Sequence, residues 1–250
     1  MAAKQISQNH HRAVAGAAVP PADRMRSVSA AVWIVLALIL SVAVPGVSAN
    51  DVEQKFIAAG LVDVNRIDRS IRVDLVNANP DKNVFRENFY GGLTRAYLRR
   101  PVAIKLAKAQ AILSSKDPGL SLLILDAARP RSVSQQMNDK LKGTKFERFV
   151  ANPAKGSMHN YGIAVDITIV DRNGKELDMG FSPFRKGRLA LYWALVKRKL
   201  GVKPNRVQMN HRRLLADTMQ RAGFLPLRHE WWHFNGMAKS DARRRYAIIE

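Results

Sequence analysis

The sequence predicts an α+β fold for residues 50–250. Short strand-like segments alternate along this region with longer helix-like segments. Neither an internal repeat nor a linker divides it, so a single domain is expected. With 250 residues, of which 47% are hydrophobic, the chain is long enough to bury one core of ordinary size.

The first half of this region contains two predicted strands and two predicted helices. Residues 71–76 alternate apolar and polar side chains, as a half-buried strand does. Residues 101–113 predict a helix with proline in its first turn, where proline is tolerated. The apolar run 120–125 predicts a central strand. A helix capped by Ser132 or Ser134 is then expected to extend to residue 141.

The second half repeats this mixture of strands and helices. Residues 162–170 are alternating and β-branched, which predicts a strand. The following Asp-Arg-Asn-Gly sequence predicts a tight turn, because Asn-Gly tolerates positive φ angles. Helices are expected at 185–200 and 210–222, the second ended by Gly223. A last strand over 224–228 leads into a polar and aromatic segment.

Residues 1–49 predict a targeting segment. Basic residues precede an apolar run at 30–44, and the small residues 47–49 offer a cleavage site, as in a signal peptide. A periplasmic or secreted protein is therefore expected. The run is shorter than the ~20 apolar residues of a comfortable membrane span, so an uncleaved membrane anchor is the alternative. Met25 is an alternative start to Met1, because the polar stretch before it is long for a signal peptide.

The composition limits the partners and the kinds of site. Lys and Arg total 41 against 20 Asp and Glu, a net charge of +21, which favours anionic wall polymers or membrane surfaces. The basic residues are dispersed and no nucleic-acid-binding motif is visible, so no nucleic-acid partner is expected. Because cysteine is absent, any metal must bind His and carboxylate side chains.

Two short segments contain the parts of a catalytic zinc site. They are Gly-Ser-Met-His-Asn-Tyr-Gly-Ile-Ala-Val-Asp at 156–166 and His-Glu-Trp-Trp-His-Phe at 229–234. A catalytic zinc takes three protein ligands and leaves its fourth position to water, a requirement that His159, Asp166 and His233 meet. In a strand, Asp166 would lie opposite a fully aliphatic face, where a charge is costly unless a metal or another cation pairs with it.

Glu230 is the candidate general base that takes a proton from the water. It lies three positions before His233, so in a regular strand the two side chains would point to opposite faces, and a local irregularity is predicted. Each residue also has a structural interpretation on its own. Asp166 could cap a turn or pair with a basic side chain, Glu230 could pair with Arg228, and His233 could be a packed core imidazole. The joint pattern favours the site.

Arg129 follows the predicted central strand and could donate to the oxyanion formed when water attacks a peptide carbonyl. The alternative is a surface loop residue. Ser157 could contact substrate, orient the site or simply cap its loop. Trp231 and Trp232 are candidates for the substrate-binding wall or for core packing.

These segments resemble the zinc D-alanyl-D-alanine dipeptidases, the VanX-like branch of peptidase family M15. The family motif Ser-x-His-x-x-Gly-x-Ala-x-Asp is matched at 157–166, and its Glu-Trp-Trp-His motif at 230–233. An Arg-Pro pair closes the predicted strand, and weaker similarity occurs at 88–91 and 210–214. The resemblance extends from about residue 68 to residue 234 with order and spacing kept.

The resemblance implies a small central antiparallel sheet flanked by helices, with the zinc site on the sheet, as in the M15/hedgehog-like peptidase fold. One Zn²⁺ per chain is expected, bound by His159, Asp166 and His233. Glu230 is then the base and Arg129 the transition-state donor. The implied substrate is D-Ala-D-Ala or a related peptidoglycan peptide. A peptidoglycan D,D- or L,D-carboxypeptidase or endopeptidase is the alternative activity, and a non-catalytic, basic wall-binding protein is the alternative from another class.

One departure concerns substrate specificity. Family dipeptidases carry an Asp shortly after a Met-Gly pair, and it helps hold the substrate ammonium. Here Met179-Gly180 is followed by Phe-Ser-Pro-Phe-Arg, which places Arg185 where the acid is expected. Asp178 or Glu176 would have to replace that anchor. Without one, a longer peptide could be accepted.

Overall fold

A computed structural model describes residues 48–144, 154–180, 201 and 203–250. The mixed α+β class predicted from the sequence is confirmed. In chain order the described helices and strands are α1 (Ala49–Ala58), β1 (Leu61–Asp63), β2 (Arg72–Val73), β3 (Tyr97–Arg99), α2 (Arg100–Lys116), β4 (Ser121–Asp126), α3 (Arg131–Leu141), β5 (Ala164–Val170), α4 (Arg206–Arg221), β6 (Leu225–Leu227), β7 (Glu230–Asn235) and α5 (Lys239–Arg245). Short 3-10 helices lie at Val64–Arg66, Val76–Ala78 and Met158–Tyr161.

Five strands form the main sheet in the order β2-β4-β5-β7-β6, and β1 pairs separately with β3. All neighbours in the main sheet are antiparallel except β2 and β4, which are parallel. The expected antiparallel pairing therefore holds for β4, β5, β7 and β6, whereas the edge strand β2 departs from it. The physical reason is the long connection through β3 and α2, since parallel neighbours need a crossover rather than a tight turn.

β5 is the centre of the sheet and every one of its residues is buried. Val165, Ile167 and Ile169 lie in the main hydrophobic core, as the predicted alternation requires. That core also contains buried side chains of α1, α2 and α4. Val170, on the same face as Asp166, belongs to a small second cluster with Val76, Leu123 and Leu125. A charged residue on β5 is therefore enclosed on a strand covered on both faces.

The three predicted helices that fall within the described residues are found, with different starts. α2 begins one residue before its predicted start, with proline in its first turn. α4 begins at Arg206, four residues earlier than predicted, because Asn205 and Gln208 form a capping box. The predicted serine caps of α3 were wrong: Pro130 is the N-cap residue and makes no side-chain cap bond. The first turn is instead satisfied from a distant segment, through Arg131 N–H donating to Ile249 O at 2.7 Å.

The strand predictions differ mainly at their ends. Only Arg72–Val73 of the predicted strand 71–76 pairs, because the chain turns into the 3-10 helix Val76–Ala78. The Asp-Arg-Asn-Gly turn is confirmed by the bond from Gly174 N–H to Asp171 O at 2.9 Å and by the φ of 79° at Gly174. The helix predicted at 185–200 lies outside the described residues.

α1 begins at the predicted cleavage site. Ser48 is its N-cap residue and accepts hydrogen bonds from Asn50 N–H and Asp51 N–H. Cleavage after Ala49 would remove that cap. The apolar run at 30–44 lies outside the described residues. Within the described part of the chain, no helix is both long and apolar enough to cross a bilayer.

Candidate active site

The three predicted metal ligands lie together in the structure. One donor atom from each of His159, Asp166 and His233 lies within 4.8 Å of the other two. His159 Nε2 is 3.2 Å from His233 Nδ1 and 3.4 Å from Asp166 Oδ2, and His233 Nδ1 is 3.0 Å from Asp166 Oδ1. All three residues are buried. The set matches the three-ligand, nitrogen and oxygen pattern of a catalytic zinc.

Strand pairing explains two of the three positions. Asp166 and His233 are direct partners across β5 and β7, and directly opposed residues bring their side chains close together. His159 comes from the 3-10 helix just before β5. Ser157 caps this helix by accepting from His159 N–H at 3.4 Å, and Gly162 ends it in the left-handed conformation. The spacing from His159 to Asp166 therefore holds one tight turn and the entry into the strand.

The outer nitrogen of each imidazole faces an acceptor. His159 Nδ1 is 2.6 Å from Ala127 O, and His233 Nε2 is 3.1 Å from Asn235 Oδ1. In neutral imidazoles each outer nitrogen therefore donates, which leaves the inner nitrogens as lone-pair acceptors. Together with the carboxylate, these inner nitrogens form a convergent set of three ligand atoms that a bound cation would satisfy. The residues present fit a divalent metal.

The electrostatics of the cluster favour positive charge in the same place. Burial alone would raise the pKa of Asp166, but His159 and His233 outweigh it and hold that pKa well below its usual range. Burial alone would lower the pKa of His233, whereas the hydrogen bond and charge of Asp166 raise it above its ordinary value. A buried carboxylate surrounded by imidazoles stabilises a bound cation.

Gly162 allows the tight turn between His159 and Asp166. Its φ is 69°, and a Cβ there would lie 2.8 Å from Leu61 Cδ2. We expect Gly162→Ala to lower the free energy of unfolding by about 1–2 kcal/mol through left-handed strain, and by more where Leu61 cannot move. Urea denaturation measures this. Gly92→Ala is the matched control, with a φ of 85° and no neighbour within 4 Å of the added Cβ. Equal losses in the two variants would show that the contact with Leu61 is unimportant.

Glu230 begins β7, where the pairing with β6 is irregular as predicted. Pro226 pairs with Phe234 and Leu227 pairs with Glu230, so residues 231–233 have no counterparts on β6. Such an irregularity re-aims side chains. Burial raises the pKa of Glu230, and the charges of His233, Asp166, His159 and Arg129 also act on it. Glu230 is thus close to the cluster, and its raised pKa suits a group that accepts and returns a proton.

Arg129 is held by a buried carboxylate that the sequence-based site prediction did not include. Asp126, the last residue of β4, accepts from Nε and Nη2 of Arg129. It also accepts from Tyr90 Oη at 2.8 Å, Asn77 Nδ2 at 3.0 Å and Ala127 N–H at 3.1 Å. Burial alone would lower the pKa of Arg129, but the charge of Asp126 outweighs this effect and raises the pKa above its ordinary value. The guanidinium is therefore charged and fixed in orientation.

Asp126 and Asp166 are cross-strand partners, reached through a register shift after Ile124. Two carboxylates directly opposed would repel each other. Each has its own source of positive charge: Arg129 for Asp126, and the histidines with any bound cation for Asp166. The sequence signals for this network were the Asp that ends the apolar run 122–126 and the weak family similarity at 88–91, where Tyr90 lies.

The remaining candidates have structural contacts. Ser157 caps its turn, which is the structural role given above as an alternative to substrate contact. Trp231 and Trp232 are partly exposed and pack edge to face with ring centroids 5.6 Å apart, and the Arg212 guanidinium lies 5.3 Å from the Trp231 ring. Their contact with substrate stays a prediction.

The acids proposed to replace the ammonium anchor have contacts as well. Asp178 accepts from Gly180 N–H at 2.8 Å and from Gln208 Nε2 at 3.1 Å. Those two hydrogen bonds lower its pKa. Glu176 forms a β-bridge with Val170. Arg185 lies outside the described residues.

Comparison with known proteins agrees with this geometry. The sequence profile of Peptidase M15, described as D-ala-D-ala dipeptidase, matches residues 57–249. The chain belongs to this peptidase family. A D-alanyl-D-alanine dipeptidase of Escherichia coli strain K12 is 30% identical over 176 residues, which cover 70% of this chain and 83% of that protein. A D-alanyl-D-alanine dipeptidase of Synechocystis sp. strain PCC 6803 is 28% identical over 180 residues, covering 58% of this chain and 71% of that protein.

Proposed function

We propose that this M15 peptidase is zinc-dependent and hydrolyses D-Ala-D-Ala or related D-amino-acid peptides derived from the cell wall. The supporting observation is the convergence of His159, Asp166 and His233 within 4.8 Å, with the outer nitrogen of each imidazole facing an oxygen acceptor. The family and the two dipeptidase relatives support the substrate class. One zinc per chain, held by these three side chains, would act as a Lewis acid and lower the pKa of a bound water.

Protein groups around the cluster transfer the proton and orient the imidazole rings. Glu230 accepts the proton of the attacking water and returns it to the leaving amine. Ala127 O and Asn235 Oδ1 hold the imidazole rings in the orientation that directs His159 Nε2 and His233 Nδ1 inward.

Arg129 stabilises the developing oxyanion. Its Nε and Nη2 are bound to Asp126. A guanidinium held in a fixed orientation is a preorganised donor, which needs little rearrangement when charge develops. Trp231 and Trp232 are proposed to form part of the substrate wall, and Ser157 to orient the site.

We also propose export to the periplasm or beyond, supported by the signal-peptide pattern in residues 1–49. Retention by an uncleaved segment is the alternative. If cleavage follows Ala49, the exported chain keeps 37 Lys and Arg against 19 Asp and Glu, and its net charge of about +18 would attract anionic wall polymers or membrane surfaces.

A peptidoglycan carboxypeptidase or endopeptidase is the second candidate activity. The observation that favours it concerns Asp178, the first candidate for the ammonium anchor. Asp178 already accepts hydrogen bonds from Gln208 and Gly180. If no other acid replaces the anchor, the free dipeptide loses a charge-assisted contact. Such a contact contributes about 1.5–3 kcal/mol, which corresponds to a roughly 10- to 150-fold difference in KM.

Three substrates separate these activities. We expect purified, zinc-loaded protein to release D-alanine from D-Ala-D-Ala with a high KM, and to accept N-acetyl-D-Ala-D-Ala and a wall pentapeptide with little penalty. A preference for the free dipeptide above about 10-fold would show that an ammonium anchor exists, with Asp178 and Glu176 the first candidates. No release from any substrate by zinc-loaded protein would support the non-catalytic, wall-binding alternative.

A further inference from the structure

Asn160, next to the candidate ligand His159, is completely buried. Its amide group uses both kinds of hydrogen bond. Nδ2 donates to Arg129 O and to Ser134 Oγ, each at 2.9 Å, and Oδ1 accepts from Ser157 N–H at 2.7 Å. One side chain therefore joins the Arg129 segment, helix α3 and the start of the turn that carries His159.

The Arg129 segment and this turn are connected twice. Arg129 N–H donates to His159 O at 3.0 Å, and Arg129 O accepts from Asn160 Nδ2 at 2.9 Å. Both main-chain polar groups of Arg129 are thus bound to consecutive residues of the turn. Two such bonds on one residue define its position more strictly than one bond, which would leave a rotation free.

The main chain of Asn160 is held from the other side. Its carbonyl accepts from Ile249 N–H at 2.8 Å, and Ile249 O accepts from Arg131 N–H at 2.7 Å. Ile249 is itself buried in the main core, and Glu250 pairs with Arg131. The segment after α5 therefore bridges the turn and the start of α3, which keeps Asn160 from moving away from Arg129.

We propose that Asn160 is a positioning residue that sets the distance between the Arg129 guanidinium and the metal-binding turn. The catalytic consequence rests on the proposed peptidase function, whereas the positioning itself does not. Asp126 fixes the direction of the guanidinium, and Asn160 fixes the main chain from which it projects. Because oxyanion stabilisation depends on donors placed to within a fraction of an ångström, this link affects the transition state more than substrate binding.

Asn160→Asp tests the proposal with almost no change of shape. The carboxylate oxygen that replaces Nδ2 cannot donate to Arg129 O, and the two oxygens repel each other. Asn160→Ala removes the link without adding charge, and serves as the second variant if the buried carboxylate prevents folding. Gln110 supplies the matched control: it is also buried, donates to Ser114 Oγ and Leu120 O, and accepts from Leu122 N–H, at the far end of β4. Gln110→Glu and Gln110→Ala make the same chemical changes there.

We expect the Asn160 variants to lower kcat by about 10- to 100-fold relative to their Gln110 counterparts, since a displacement near 1 Å can cost 10²-fold. KM for D-Ala-D-Ala and the zinc dissociation constant, measured by chelator competition, should change by less than about 3-fold. Affinity for a phosphinate analogue of D-Ala-D-Ala should fall with kcat/KM. Equal losses of kcat in the Asn160 and Gln110 variants, or an unchanged affinity for the phosphinate, would overturn the proposal.

A second readout does not require activity. Arg129 Nε–H donates to a buried carboxylate, so its NMR resonance should be distinct and should be identified by its loss in Arg129→Lys. We expect this resonance to shift or broaden in the Asn160 variants and to stay in place in the Gln110 variants. An unchanged resonance would reject the positioning role. A wild-type protein that hydrolyses no peptide would reject the proposed function alone, because the resonance still reports on Asn160.

Discussion

Glu230→Gln is expected to preserve the fold and the zinc content and to lower turnover of D-Ala-D-Ala by roughly 10² to 10⁴. The amide has nearly the shape of the carboxylate, so the start of β7 should pack unchanged. It cannot accept a proton, and the attacking water would lose its base. Steady-state kinetics on protein of measured zinc content test this. The decrease should fall on kcat more than on KM, because the proton moves only in the reaction.

The control for this substitution is a carboxylate away from the cluster. Glu87 pairs with Lys140 on the surface, and Glu87→Gln should leave turnover within about 2-fold of wild type, since exposed pairs contribute little. A zinc-loaded Glu230→Gln protein that turns over at the wild-type rate would remove Glu230 from the mechanism.

The part of the site that was predicted from the sequence consists of residues that lie in two short motifs. The sequence indicated His159, Asp166 and His233 because few residue types bind metals. It also placed the Asp166 carboxylate on a strand whose other face is fully aliphatic, where a charge is costly without a partner. Their convergence follows from one antiparallel pairing, β5 with β7, in which Asp166 opposes His233. The irregular start of β7 was also predictable, because a regular strand would separate Glu230 from His233.

The two distant partners of Asp126 could not be predicted from local sequence pattern. Tyr90 is 36 residues and Asn77 is 49 residues from Asp126 along the chain. No periodicity specifies that such distant segments meet at one carboxylate. The Asp that ends the apolar run was visible, yet its role also depends on Asn77 and Tyr90, which only tertiary packing brings to it. Asn160 is similar, since its sequence neighbours indicate a turn but not the segments it joins.

The wrong predictions about the fold have the same origin, which is a contact between segments distant in sequence. Ser132 and Ser134 are good capping residues by type, but the start of α3 is satisfied by Ile249 O, and Ser134 accepts from Asn160 instead. Local propensity was overridden by a contact more than a hundred residues away. The parallel pairing of β2 with β4 likewise depends on the route of the chain through α2, whereas alternation within residues 71–76 indicates only a strand.

Loss of any one candidate metal ligand is expected to have the largest effect of all. His159→Ala, Asp166→Ala and His233→Ala should each lower zinc content from one per chain to nearly none after dialysis. The reduction in affinity should exceed the roughly 10- to 100-fold that follows loss of an outer hydrogen-bond partner of a ligand. Each residue offers one ligand atom, and the three atoms lie within 4.8 Å of one another. A variant that lacks one of them therefore keeps only two of the three protein ligands. Turnover should fall at least as far as in Glu230→Gln.

Thermal unfolding supplies a measurement independent of activity. Zinc at about 100 times its dissociation constant stabilises a folded protein by about 2.7 kcal/mol, which for a domain of this size raises the midpoint by roughly 5–10 °C. The wild-type protein should show this rise over its EDTA-treated form, and the three ligand variants should not. His211→Ala is the matched control, since His211 contacts Asp178 O at 2.8 Å rather than the cluster. A ligand variant that keeps stoichiometric zinc and the full rise in midpoint would show that its residue does not bind the metal.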